Sequence, residues 1–176
     1  MPDDPTKPDQ TDDFGKLEAL LKDVRFTMFT TRADGRLRSR PMTTIKTDDV
    51  GRLWFLTDRD ADIAQDILRE PSVGLSYADN GSSTYVSVSG HATWSEDRRQ
   101  IERLWNPAMK AWWSGPDDPK IVAIDVRVDA AEYWDGPNSR IVRLFAILAA
   151  AATGREFEGG EHGEVTRATA GQRTAY

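Results

Sequence analysis

The stretch Arg36–Thr57, RLRSRPMTTIKTDDVGRLWFLT, restricts the fold of this chain most. It contains two strand-like runs around a turn. In an extended chain, residues two apart share a face. One face of the first run therefore carries Arg36, Arg38, Arg40, Met42, Thr44 and Lys46, and the other carries Leu37, Ser39, Pro41, Thr43 and Ile45. Asp48-Asp49-Val50-Gly51 supplies turn residues. The second run, Arg52–Thr57, is aromatic and apolar around Trp54 and Phe55. A cationic strand face beside an aromatic strand suits a flat, phosphorylated ligand. A solvated basic face on an ordinary hairpin has the same pattern, and both readings stay open here.

The flanking sequence continues the β pattern. Thr11–Lys22 reads as a short helix, with Phe14, Leu17, Leu20 and Leu21 at helical spacing. Val24–Thr31 reads as a strand in which Val24, Phe26 and Met28 alternate with Arg25 and Thr27, and Ala33-Asp34-Gly35 turns it into the first run. Asp58–Glu70 reads as an amphipathic helix capped by Asp60 and stopped by Pro71. Ser72–Ala78 and Ser83–Trp94 read as strands joined by the turn Asp79-Asn80-Gly81, with a bend expected at Gly90. Ser95–Trp105 reads as a helix, followed by a helical turn in Asn106–Trp113 and a loop over Ser114–Pro119. Lys120–Val128 and Ala131–Asp135 read as the last strands. Ser139–Thr153 reads as a buried helix that packs against a partner subunit and ends at Gly154. Six or seven strands with hairpin turns and short helices, and no βαβ rhythm, predict a mainly β (α+β) small barrel.

Length and composition set limits on function. The chain has 176 residues, which suits one domain over 11–154 between a disordered leader, 1–10, and a flexible tail, 155–176. A net charge of −6 argues against nucleic acid as a partner. There are no cysteines, so thiolate chemistry and thiolate metal sites are excluded. His91 and His162 form no local metal motif, and His91 reads as a hydrogen-bonded strand residue. Asp117-Asp118-Pro119 reads as a turn. No stretch approaches the roughly 20 apolar residues of a membrane span. The acidic, proline-rich start is unlike a signal or transit peptide, so the cytoplasm is the expected location. Six tryptophans serve either packing or a stacking wall beside a planar cofactor.

Several segments together resemble the general stress protein branch of the pyridoxamine 5′-phosphate oxidase-like family. They are SRPM (Ser39–Met42), GRLWFLTD (Gly51–Asp58), YVSVSGHA (Tyr85–Ala92), LWNPAMKAWW (Leu104–Trp113), DDP (Asp117–Pro119), AEYWD (Ala131–Asp135) and ATGREFEGGEHGEV (Ala152–Val165). The resemblance implies a split β-barrel with a C-terminal helix that binds flavin mononucleotide (FMN) at a homodimer interface. Carried onto this chain, it assigns Arg40, Pro41, Met42, Thr43, Leu56, Thr57 and Tyr85 to the flavin, with Trp112 or Trp113 approaching from the other subunit. The activity implied is a flavin-dependent oxidoreductase on an unknown small molecule, with no catalytic acid or base identified. Pyridoxamine phosphate oxidation itself is not expected, because the arginine-rich C-terminal signature is missing.

One segment departs from that pattern. Where the wider family often places a Ser-Arg-Lys-like segment that holds the phosphate, this chain has Ala61, Asp62 and Ile63. A carboxylate there repels a phosphate, and isoleucine donates nothing to it. Three outcomes follow: flavin binds weakly, binds with its phosphate held by Arg36, Arg38 or Arg40, or does not bind. The alternatives are a non-enzymatic ligand-binding or stress-sensing barrel, or one that takes a deazaflavin or haem-derived ligand.

Overall fold

A computed structural model describes residues 10–48, 50–135 and 161–166. The strands are β1 (Phe26–Ala33), β2 (Arg36–Thr43), β3 (Lys46–Thr47), β4 (Arg52–Asp58), β5 (Ser72–Asp79), β6 (Thr84–Ser95), β7 (Ile121–Asp135) and β8 (Glu161–Thr166). The helices are α1 (Gln10–Asp23), α2 (Asp62–Arg69) and α3 (Arg98–Leu104), with a 3-10 turn over Pro107–Ala111. The strands form one sheet in the order β2-β1-β5-β6-β7-β4-β3, with β8 beside β7. Every pairing is antiparallel.

The two ends of this path, β2 and β3, are consecutive in the chain and separated only by Thr44 and Ile45. The Thr44 amide donates to the Arg25 carbonyl at 2.8 Å, and the Ile45 amide donates to the Trp54 carbonyl in β4 at 2.8 Å. Within two residues the chain leaves the β1 side of the sheet and joins β4. Beyond this corner β2 and β4 are not paired, and the barrel is split there.

Local sequence accounts for the turns. Asp34 and Gly35 have φ of 51° and 75°, the conformation of a two-residue hairpin loop that matches strand twist. Asp48 Oδ1 accepts from the Val50 and Arg52 amides at 3.2 and 2.8 Å. The β6–β7 register shifts between Ser89 and Gly90. A Cβ at Gly90 would overlap the Arg127 carbonyl oxygen, so the bulge needs glycine.

Inside the barrel, Phe29 and Phe55 meet edge to face with centroids 5.2 Å apart. Phe14, Leu17 and Leu21 of α1 and Ile63 and Ile67 of α2 complete this core. A second cluster lies outside β4 and β7, where Leu56, Ile121 and Ala123 pack under Ile101, Leu104 and Met109.

The alternation read in β1 is present, and its buried face carries Thr27, Phe29, Thr31 and Ala33, whereas Phe26 and Met28 are exposed. The buried threonines are satisfied: Thr27 donates to the Ser76 carbonyl at 3.1 Å and Thr31 to Asp66 at 2.7 Å. Several other expectations are corrected. Ala61, rather than Asp60, precedes α2, and it provides no side-chain cap. The third helix begins at Arg98 because β6 runs on to Ser95, and the Asp97 side chain caps it by accepting from the Arg99 amide. The last two expected strands are one strand, β7. Residues 161–166, expected within a flexible tail, form β8 and pair with β7 from Ala130 to Asp135. The Ser139–Thr153 helix lies outside the described residues, as does all of the expected 1–10 leader except Gln10, which opens α1.

Candidate functional site

The split is bounded by two strand edges. β2 ends the sheet path, so one of its edges has no strand partner among the described residues. β3 pairs only with Leu53 and Trp54, so among the described residues Phe55–Asp58 of β4 have no strand partner on that side. The sequence-assigned Arg40–Thr43 and Leu56–Thr57 therefore lie on the two strands that border the split. Strand alternation sorts their side chains. Pro41 and Thr43 lie on the exposed face of β2. Met42 turns inward against the core. Leu56 is buried in the outer cluster with Trp113, and Thr57 is also buried.

The face expected to present cations points instead toward α2. Arg40 donates to Asp66 at 2.9 Å and to the Thr31 hydroxyl at 2.8 Å. Thr31 in turn donates to the same Asp66 oxygen. Asp66 is 2% exposed. Burial pushes its carboxyl up, but the hydrogen bonds from Thr31 and Arg40, with the charges of Arg40 and Arg38, hold it below the usual aspartate value. Arg38 donates to Asp62 at 2.7 Å in an exposed pair. Asp62 is therefore not a stray charge, since it neutralises the arginine opposite it. Of the β2 arginines, only Arg36 has no ion-pair partner among the described residues.

A phosphate group does not fit this arrangement through Arg40 or Arg38. Both guanidinium groups already hold carboxylates, and a phosphate beside Asp62 and Asp66 would meet two negative charges. The sequence reading missed Asp66 and Thr31. A signal was available, because Asp66 shares the buried face of α2 with Ile63 and Ile67.

Of the other assigned residues, Tyr85 lies elsewhere, whereas Trp113 reaches the end of β4. Tyr85 is on the outer face of β6, opposite Trp134 of β7, and both are partly exposed. Its hydroxyl donates to Asn80 at 3.2 Å. The Trp113 indole donates to Asp58 at 2.7 Å, at the open end of β4 in its own chain, and its ring lies 6.5 Å from Trp105. Trp112 is 74% exposed. Most of the tryptophans thus serve packing: Trp54, Trp105 and Trp113 border the outer cluster, and Trp94 donates to the Ala64 carbonyl at 3.0 Å. His91 contacts Asp129, consistent with a hydrogen-bonded strand residue. Asp118 accepts from the Lys120 and Ser114 amides, which hold its carboxyl below its usual value and confirm a turn.

Comparison with known proteins places this architecture. The model of the family described as pyridoxamine 5′-phosphate oxidase like matches residues 12–158. The chain belongs to that family. Protein bli-3 of Neurospora crassa is 27% identical over 151 residues, which span 79% of this chain and 72% of the relative. A crystal structure from Jannaschia sp. CCS1, described as a candidate general stress protein 26, is 26% identical with a TM-score of 0.75 and covers 89% of this chain and 99% of its own. A general stress FMN/FAD binding protein from Xanthomonas citri is 28% identical with a TM-score of 0.60 over 69% of this chain and 87% of its own. Family membership and the split-barrel neighbours support the resemblance read from the motifs and the β-barrel expected from the strand pattern. Among the described residues, no helix is long and apolar enough to cross a membrane.

Proposed function

We propose that this protein is a flavin-binding member of the family, of the general stress type, that seats the flavin ring in the split between β2 and β4. One observation carries the reading: the residues that the family pattern assigns to the flavin on β2 and β4 lie on the two strands that border the split, each with an edge that lacks a strand partner among the described residues. The Xanthomonas citri relative, an FMN/FAD binding protein, supports it. A bound flavin would supply redox chemistry toward a small molecule, and the protein would orient it and exclude water. Because Arg38 and Arg40 are neutralised by α2, the ring and not the phosphate supplies most of the affinity.

The test is a titration of the whole chain with FMN and with riboflavin. The expected result is saturable binding of both with similar affinity. Asp62→Asn should release Arg38 and improve FMN binding about tenfold while leaving riboflavin binding unchanged. A protein that is purified colourless and ignores both flavins would refute the reading. A second reading is favoured by the same two ion pairs: a non-enzymatic barrel whose phosphate clamp has been replaced by internal salt bridges, with a different small ligand.

We also propose a homodimer. Phe26 is 74% and Leu37 77% exposed, and Met28, Pro41, Tyr85 and Trp134 add apolar area on the outer sheet face. Water contact over so much apolar surface is unfavourable, and a second copy would cover it.

A further inference from the structure

We propose that a second opening, between α1 and the β2–β3 corner, binds a small organic anion. The cavity is about 510 Å³ and is lined by Gly15, Glu18, Ala19, Leu21, Lys22, Arg25 and residues 44–47. That volume lies within the range of small-molecule sites. Three cations, Lys22, Arg25 and Lys46, border it with a single carboxylate, Glu18. The chain as a whole carries a net charge of −6.

This cluster differs from the arginines of β2. Arg38 and Arg40 are matched by carboxylates, whereas Lys22, Arg25 and Lys46 have no ion-pair partner among the described residues. Lys22 lies in the last turn of α1, and Arg25 Nε donates to the Lys22 carbonyl at 3.4 Å, so both also suit the negative end of that helix. Lys46 has no such role. It sits on β3, on the other wall of the opening. Charge therefore converges from two separate elements. Ala19, Leu21 and Ile45 supply an apolar wall, and Gly15 leaves open space, with no atom within 4 Å of where a Cβ would stand. The chemistry that fits is a compact, partly apolar molecule bearing one phosphate or carboxylate.

The probes are phenyl phosphate, benzoate and the uncharged benzyl alcohol, followed by amide chemical shifts in the whole chain at low salt. Phenyl phosphate or benzoate should saturably shift residues 15–22 and 44–47, and benzyl alcohol should not. If phosphate is the group recognised, phenyl phosphate binds more tightly than benzoate. A carboxylate site reverses that order. Lys46→Glu should weaken binding about tenfold or more. Gly15→Leu should abolish it by filling the space. Leucine is a better helix former than glycine, so this variant should melt no lower than the parent. Lys46→Glu lies on the exposed surface and provides an independent check. Absence of shifts at about 10 mM probe, shifts confined to Arg36–Arg40, or an affinity in both variants equal to that of the parent would overturn the proposal. These readouts do not involve flavin, so the two proposals can fail separately.

Discussion

Arg40→Ala separates a structural arginine from one held open for a ligand. In the native protein, Arg40 and Thr31 hold the Asp66 carboxylate, which is buried on α2. Removing the guanidinium leaves that carboxylate buried with Thr31 as its one remaining side-chain hydrogen-bond donor among the described residues and the Arg38 charge nearby. Breaking one side of a buried pair costs about 3–5 kcal/mol. The Arg40 side chain is itself 21% exposed and water can enter after truncation, so the lower end, about 3 kcal/mol, is expected. For a chain of this size that corresponds to a melting-point drop of roughly 6–12 °C. The effect should depend on pH. Asp66 is depressed in the folded state, so its contribution is full above the ordinary aspartate value and is lost as pH falls through the depressed folded value. In the variant the lowering interactions with Arg40 are gone while desolvation remains, so the carboxyl protonates more readily and the deficit narrows in acid. Urea unfolding at pH 7 and near pH 4, without ligand, measures both. A deficit below about 0.5 kcal/mol at pH 7 would refute the network and return Arg40 to the ligand.

Gly90→Ala should destabilise the fold by about 1–3 kcal/mol or more, because its Cβ would collide with the Arg127 carbonyl at the bulge; chemical denaturation measures it. Phe29→Ala should cost about 3–5 kcal/mol in the same assay, since Phe29 is fully buried against Phe55. Asp125 is pushed up by burial despite its contact with Arg52, and its Oδ1 atom is buried without a partner among the described residues. Its ionised form therefore weakens the fold at neutral pH. Asp125→Asn should raise the melting point at pH 7, with the gain fading as pH falls through the raised value and wild-type Asp125 becomes protonated. Phe26→Asp should shift the proposed dimer toward monomer in light scattering, and an unchanged mass would count against the outer face as the contact.

Much of the architecture was legible because its signals are local. The Asp34-Gly35 turn, the alternation in β6 and the apolar spacing of α1 each specify an element from a few neighbouring residues. The direction of β1 was not legible. Phe26 and Met28 outweigh Thr27 and Thr31 on any hydropathy reading, yet the threonines face inward because Ser76 and Asp66 accept their hydroxyls. Those acceptors are supplied by β5 and α2, and the spacing within β1 carries no trace of them. β8 was missed for a similar reason. Its short polar sequence gains its pairing from β7 and has little apolar pattern of its own.

The candidate site shows the same limit in its charges. Alternation correctly put Arg36, Arg38 and Arg40 on one face, but the availability of that face depends on Asp62 and Asp66, which lie 24 and 26 residues further along the chain. A carboxylate at position 62 looks like a defect when it is compared only with a phosphate-holding segment. Opposite Arg38 it is a partner. The two ion pairs tie β2 to α2, so neither Arg38 nor Arg40 stands as a free cation. Among the described residues, Arg36 on β2 and Lys22, Arg25 and Lys46 beside the second opening are cations without an ion-pair partner. In a protein with net charge −6, three such cations converging on one cavity give an anionic ligand a local attraction that the rest of the charge balance opposes.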